Sequence, residues 1–595
     1  MNANVSLPAA APADTETPTQ RLDRLVHTSV APLTGNLSPI ALGLALADWA
    51  WHLGASPGRQ MELAGLAAKL AADTWRLHDG ESTGAGLHDD DPRFRAEAWA
   101  EWPFSQWRAG FRNAEAFWRE AAQVPGVSGH HTQMVDFFAR QWLGMLTPAN
   151  GLLTNPVVLR HAAASGGAPL LQGWHNWLAD AGRTPGAPDP ATANTRHAVG
   201  RNMAVTPGKV VFRNRLIELI RYAPQTETVY PEPVLIVPSW IMKYYILDLS
   251  PHNSMARYLV EQGHTVYMVS WRNPDESDHD LSMDDYLRLG VLDAMAAAQA
   301  DAPRPAGAKA APPLHAMGYC LGGTLLTMAA AALARRGGVQ GYPSLAAPHT
   351  LTLLAAQTDF TEPGELGLFI DEGQVNLLKE LMRGQGFLTG KQMAGSFQFL
   401  HSRDLVWTRL MREYLMGERD QGNDLMAWNA DTTRMPARMH HEYLVALYLK
   451  NALANSRYRV DGRAISLGDL RMPVFAVGTQ RDHVSPWRSV YKLHRLMADA
   501  EVTFALTNGG HNAGIISEPG HPRRHYQLAV RPASAPWQSA DEWAATAPRH
   551  EGSWWPAWQQ WLAARSSARM PAQAIRAASA LGDAPGTYVM QRYAE

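Results

Sequence analysis

Strands alternating with helices, a Gly-x-Cys-x-Gly turn between one such strand and its helix, and one long helical break in the alternation predict an α/β fold of the α/β-hydrolase class. The expected architecture is a mostly parallel sheet with helices on both faces. A helical region precedes it, and a helical cap is inserted late in it.

The elements follow in order. Residues 1–29 begin rich in Ala, Pro and Thr and are expected to be disordered. A helical N-terminal region is expected over 30–199. Ser38-Pro39 and Ser56-Pro57 each set an N-cap serine before a proline at the first helical position, so helices over 39–53 and 57–77 should form a hairpin. Residues 81–92, rich in Gly and Asp, read as a linker. From Phe94 to about Asp180, Trp99, Trp102, Phe104, Trp107, Phe111, Phe117 and Trp118 recur at helical spacings. The plain reading is a helical layer packed on a later domain; the sharper one is a surface for an apolar polymer or a partner subunit. His130-His131 point apart on a helix with no other ligand nearby in sequence, so no metal is expected there. Residues 181–199 read as a Pro/Ala/Thr-rich connection.

The first part of the α/β core is expected over 200–358. Val210-Val211-Phe212 and Leu216 to Ile220 read as an antiparallel pair. Val234 to Val237, between prolines, is a short buried strand. A helix over 253–262, a strand over 265–269 and a helix over 284–300 follow. Then come the strand before Cys320, a helix over 324–335 and a strand over 350–354. Over 359–465 Met, Phe, Trp and Leu recur at helical spacing, which predicts a cap or lid. The core resumes over 466–565 with strands at 474–477 and 502–506 and closes on a tryptophan-rich helix near Trp554-Trp555. The Ala-rich tail, 566–595, is expected to be mobile.

Composition excludes several classes. Cys320 is the only cysteine, so there is no intrachain disulfide framework, and a reducing compartment fits. A formal net charge of −2 gives no reason to expect nucleic acid or an anionic membrane. The first residues lack the pattern of a secretory signal. No apolar run reaches the roughly 18 residues of a spanning helix. A cytoplasmic protein without metal or cofactor is the expectation.

The chemistry centres on Gly318-Tyr319-Cys320-Leu321-Gly322. A strand-to-helix elbow lifts its central side chain off the sheet, and glycines on either side let helix and strand approach. The helix aims the positive end of its dipole at the sulfur. A nucleophile there needs a base and a group to orient it, in the chain order nucleophile, acid, histidine. Asp482 follows the strand over 474–477, and His511 follows that over 502–506 in Asn508-Gly509-Gly510-His511-Asn512-Ala513-Gly514. Alone, each is as readily a turn aspartate or one of 23 histidines. All three in this order, after the right strands, read as a catalytic triad. Asp359 is the rival acid, and His483 is more suited to tuning Asp482 than to replacing His511. The oxyanion donors should be the backbone N–H of Leu321 and that of Trp240 or Ile241. A thiolate suits thioesters, because the acyl enzyme is again a thioester and stays activated.

These residues resemble polyhydroxyalkanoate synthases. The resemblance is carried by Gly318-Tyr319-Cys320-Leu321-Gly322-Gly323, Lys243-Tyr244-Tyr245-Ile246-Leu247-Asp248-Leu249, Val269-Ser270-Trp271-Arg272-Asn273-Pro274-Asp275, Asp404-Leu405-Val406-Trp407, Trp428-Asn429, Asp482-His483 and Gly552-Ser553-Trp554-Trp555-Pro556. It runs from about Phe94 to Leu562, and residues 30–75 resemble the N-terminal helical segment of some poly-β-hydroxybutyrate polymerases. It implies a one-subunit, class I-like enzyme that polymerises (R)-3-hydroxyacyl-CoA with release of CoA. Cys320 would carry the acyl chain, His511 would activate the thiol, and Asp482 would assist His511 or activate the incoming 3-hydroxyl. It further implies a homodimer at the surface of polyester granules, in contact with the growing chain. One departure is Asn512, where the familiar form has an aliphatic residue after the histidine. A cysteine-dependent hydrolase, either a thioesterase or an intracellular polyester depolymerase, is the alternative on the same triad.

Overall fold

In a computed structural model the chain is described over residues 17–31, 37–78, 91–181, 197–305, 307–308, 310–389, 407–419, 422–576 and 580–592. The expected disorder of 1–16, most of the linker at 81–92, most of the connection at 181–199 and the Asp404-Leu405-Val406 stretch lie outside these residues.

Apolar, β-branched runs between turn residues become an 11-stranded sheet. In chain order its strands are β1 (Gly208–Arg213), β2 (Ile217–Tyr222), β3 (Val234–Val237), β4 (Val266–Trp271), β5 (His315–Tyr319), β6 (Thr350–Leu354), β7 (Val474–Thr479), β8 (Val502–Thr507), β9 (His525–Arg531), β10 (Arg549–Glu551) and β11 (Gly582–Asp583). Their spatial order is β10-β9-β8-β7-β6-β5-β3-β4-β2-β1-β11. Strands β4, β3, β5, β6, β7 and β8 run parallel. The flanks are antiparallel, including the expected β1–β2 pair with its bulge between Val210 and Phe212. Strands buried on both faces read as continuous apolar runs, and β2 through β8 are buried along their whole length. Because β4 lies on one side of β3 and β5 on the other, the strand order reverses at β3. In such sheets the cleft at the carboxyl ends beside the reversal is where sites form. This is the α/β-hydrolase fold.

The N-terminal region is helical: α1 (Pro18–Val30), α2 (Pro39–Gly54), α3 (Pro57–His78), α4 (Phe104–Ala121), α5 (Gly129–Met145), α6 (Pro156–Ala164) and α7 (Ala168–Asp180). Ser38 caps α2 through its hydroxyl, as its place before Pro39 predicts. Helix α1 corrects the expectation of disorder to residue 29. Its signal is a capping box, in which Thr17 and the N3 residue Gln20 satisfy each other's backbone N–H groups.

Within the sheet region lie α8 (Met255–Glu261), α9 (Asp293–Asp301) and α10 (Leu321–Ala334). A π-helical turn, Tyr286–Leu292, leads into α9. Between β6 and β7 the described residues contribute no strand to the main sheet. They carry α11 (Glu372–Arg383) and α12 (Ala437–Tyr443), the latter running on into a π-helical turn, Leu444–Leu449. Helix α13 (Trp555–Ala563) closes one face with Trp555, Trp558 and Trp561 buried.

The tail is a second correction. Composition suggested mobility, but β11 pairs with β1, and Met570–Pro571 pairs with Thr228–Val229. Glu218, fully shielded on β2, accepts the backbone N–H groups of Thr587 and Tyr588 and the Thr587 hydroxyl. Lys243, also buried, donates to the carbonyls of Tyr588 and Gln591. Glu218 also pairs with Arg213, so the tail adds hydrogen bonds to already buried charges, each worth about 1.5–3 kcal/mol.

Candidate active site

Strand β5 ends at Tyr319, and α10 starts at Leu321, so the turn is Cys320 alone. Its φ of 53° and ψ of −128° are strained for a residue with a Cβ. Two glycines make the turn possible. A Cβ on Gly318 would lie 2.3 Å from Gly323 Cα, and one on Gly322 2.3 Å from the carbonyl oxygens of Val237 and Pro238. The first contact seats α10 on its own strand, and the second seats it on the loop after β3. Cys320 N–H bonds to Leu354 O at 2.9 Å, which ties the turn to β6.

Asp482 lies in the turn after β7, its side chain sealed from solvent. Its Oδ1 accepts the N–H groups of Val484 at 2.9 Å and Ser485 at 2.7 Å. Its Oδ2 accepts the Thr479 hydroxyl at 2.8 Å and faces His511 Nδ1 at 2.8 Å. Burial alone would raise this carboxyl; the His511 charge and hydrogen bond, the Ser485 N–H and the Thr479 hydroxyl outweigh it and hold the pKa below the ordinary value.

His511 sits in the loop after β8. Gly509 has φ +116°, and a Cβ there would meet Gly514 at 3.0 Å, so the loop folds back on itself. Trp554 Nε1–H bonds to Gly514 O and Trp555 Nε1–H to Ile515 O, so the tryptophan-rich segment fastens the loop. Cys320, at the elbow, is near enough for its charge to act on the imidazole. Burial works to lower its pKa, but the charges of Asp482 and Cys320 win and raise it well above the ordinary histidine value. The structure thus brings together Cys320, His511 and Asp482 from three separate loops.

Asp359 is not brought in. Its Oδ1 accepts the N–H and hydroxyl of Thr361 and the side-chain amide of Asn451, a local turn. His483 lies on the Asp482 turn, where its carbonyl accepts Glu365 N–H. Leu321 is the first residue of α10, where N–H groups lack intrahelical acceptors. Trp240 and Ile241 lie in the loop after β3, with Ile241 N–H 3.4 Å from Ser239 Oγ. That loop is clamped by the insertion. Thr433 donates its hydroxyl to Trp240 O and its N–H to Ile241 O, and Trp428 Nε1–H bonds to Lys243 O.

Sequence reasoning missed two tyrosines. Tyr443, at the end of α12, and Tyr448 place their hydroxyls 3.1 Å apart. Burial pushes both phenols up, and the charge of nearby Cys320 adds to the effect. Nothing local marks them, since they meet the elbow only through the fold. His131 is engaged with Asp48 of α2 at 2.6 Å, a contact between two N-terminal helices.

Three family models match. Residues 17–59 match "Poly-beta-hydroxybutyrate polymerase N terminal", residues 90–259 match "Poly-beta-hydroxybutyrate polymerase (PhaC) N-terminus", and residues 232–517 match "alpha/beta hydrolase fold". Among similar proteins, a poly(3-hydroxyalkanoate) polymerase of Methylorubrum extorquens is 37% identical over 78% of this chain and 75% of its own. The poly(3-hydroxyalkanoate) polymerase subunit PhaC of Rhizobium meliloti is 35% identical over 85% of this chain and 81% of its own. That of Cupriavidus necator is 36% identical over 86% and 84%.

Proposed function

The chain belongs to the poly(3-hydroxyalkanoate) polymerase family, and on that premise we propose that it polymerises (R)-3-hydroxyacyl-CoA through a thioester on Cys320. The observation that supports this reading is a sole cysteine at a strained elbow, with the ring of the preceding Tyr319 against His511, and His511 against a sealed carboxylate. The Cys320 sulfur attacks the thioester carbonyl, the C–S bond to CoA breaks, and the departing thiolate takes a proton from the His511 imidazolium. The hydroxyl oxygen of the next unit then attacks the acyl-cysteine carbonyl. An ester forms, Cys320 is released, and the hydroxyl proton passes to His511.

Asp482 is read here as the partner of His511 rather than as the activator of the hydroxyl. Both its oxygens are already occupied, and its side chain is closed to solvent. The oxyanion donors are Leu321 N–H and, since Ile241 N–H turns toward Ser239, Trp240 N–H. The insertion over 359–465 acts as a lid. Its support is the packing of Tyr443 against Trp240 and the nearness of Tyr443 and Tyr448 to Cys320. Excluding water protects the acyl thioester from hydrolysis.

No helix among the described residues is long and apolar enough to cross a membrane. Exposed Trp51, Trp75, Trp102, Trp142 and Trp174 on the N-terminal region suit contact with the polyester at a granule surface. Incubation with (R)-3-hydroxybutyryl-CoA tests the proposal: free CoA together with insoluble polyester supports it. Free CoA with only soluble hydroxy acid points to the hydrolase instead.

A further inference from the structure

The elbow and the histidine loop are not neighbours. Strands β6 and β7 lie between β5, which carries Cys320, and β8, which carries His511. A direct link nevertheless crosses the carboxyl edge of the sheet. Tyr319, the last residue of β5, donates its hydroxyl to Asn512 Oδ1 at 2.6 Å. Its buried ring lies against the His511 imidazole, with centroids 5.7 Å apart and planes tilted by 32°. The Asn512 carbonyl in turn accepts the N–H groups of Ile515 and Ile516, which close the same loop. The residue before the sulfur is therefore bound to the residue after the imidazole.

The other link is electrostatic, between His511 and the Cys320 sulfur itself. That link depends on the chemical state of the sulfur. A thioester sulfur carries neither the proton nor the charge that holds an imidazole. We propose that the Tyr319–Asn512 hydrogen bond is a latch that keeps His511 in register with the elbow while Cys320 carries an acyl group. Asn512 and Tyr319 are then positioning residues for the transfer half of the reaction, and acylation is nearly indifferent to them. The inference rests on the acyl-cysteine reading, and it accounts for a polar residue where the resembled family has an aliphatic one.

Two measurements test it on the full chain. In the first, Cys320 is capped with iodoacetamide, and the downfield proton of the His511–Asp482 bond is followed by NMR. The wild type keeps a sharp signal after capping. Tyr319→Phe, which removes only a hydroxyl, keeps it before capping and loses or broadens it afterwards. A signal equally sharp in the capped variant overturns the latch. This arm needs no turnover, so it separates failure of the latch from failure of the polymerase reading.

In the second, wild type, Tyr319→Phe, Asn512→Ile and the double variant are given (R)-3-hydroxybutyryl-CoA. Each single variant should lose about tenfold in kcat with KM unchanged and should accumulate singly acylated chain by intact mass. The double variant should be no worse than the weaker single one, because both remove the same bond. Unchanged kcat, no excess of acylated chain, or losses that multiply overturn the proposal.

Discussion

His511 Nδ1 lies 2.8 Å from Oδ2 of Asp482, a carboxylate whose side chain has no contact with solvent. An acid so enclosed is suited to orienting a base. His511→Ala should slow acylation of Cys320 by about a thousandfold, the scale of general-base catalysis. Asp482→Asn should slow that same step severely, because the wrong imidazole tautomer is favoured. Single-turnover CoA release measures both. A normal acylation rate in Asp482→Asn with slow elongation would return Asp482 to the role of hydroxyl activator. Asp359→Asn should change neither step, since its carboxylate serves the Thr361 turn.

The same pair sets a pH dependence of stability. The folded pKa of His511 is raised above its ordinary 6.5, so its contribution is complete below that value and is lost as pH rises through the folded pKa. Urea midpoints of the wild type should therefore fall from about pH 7 to about pH 9 by more than those of Asp482→Asn, which lacks the main charge raising the imidazole. Parallel curves for the two proteins would contradict this origin.

Removing residues 587–595 should destabilise the chain by about 3 kcal/mol, read as a lower urea midpoint. The truncation strips Glu218 of three donors, leaving it Arg213, and Lys243 of two carbonyls, both deep in the core. Burial already pushes the Lys243 pKa down against the opposing pull of Asp431. An unchanged midpoint would mean that the tail is peripheral, as its composition suggests.

These elements mark how far the sequence is legible. The elbow could be read because its glycines, Gly318 and Gly322, flank Cys320 in sequence, even though the carbonyls of Val237 and Pro238 that demand Gly322 are distant. Strands β1 to β8 followed from apolar runs and the histidine loop from its flanking glycines, whereas β9 to β11 and the spatial order of the strands did not. Helix α1 carried a signal, the capping box of Thr17 and Gln20, but the Ala/Pro-rich context hid it. The tail was not legible. Its partners Glu218 and Lys243 lie more than 340 positions away, and they hold mainly backbone groups that any sequence supplies. Tyr443 and Tyr448 were hidden for the same reason, as their helical spacing reads as core.

If the 359–465 segment is a lid over Cys320, substrate and polymer must pass it. CoA release should show a lag that a short hydroxyalkanoate primer shortens, because opening is slow and the primer favours the open state. Limited proteolysis should cut the segment at different rates in free protein and in protein carrying a stable acyl analogue on Cys320. Identical cutting together with no lag would make the segment a fixed wall.

The most direct test of the account is the fate of Cys320 during turnover. With (R)-3-hydroxybutyryl-CoA, peptide mass analysis should find hydroxybutyryl units on Cys320. Cys320→Ala should fold normally, carry no acyl group and make no polyester. Cys320→Ser should lose most activity, since its hydroxyl is not ionised near neutral pH and its ester is a poorer donor. Polyester made at the wild-type rate by Cys320→Ala would contradict the account.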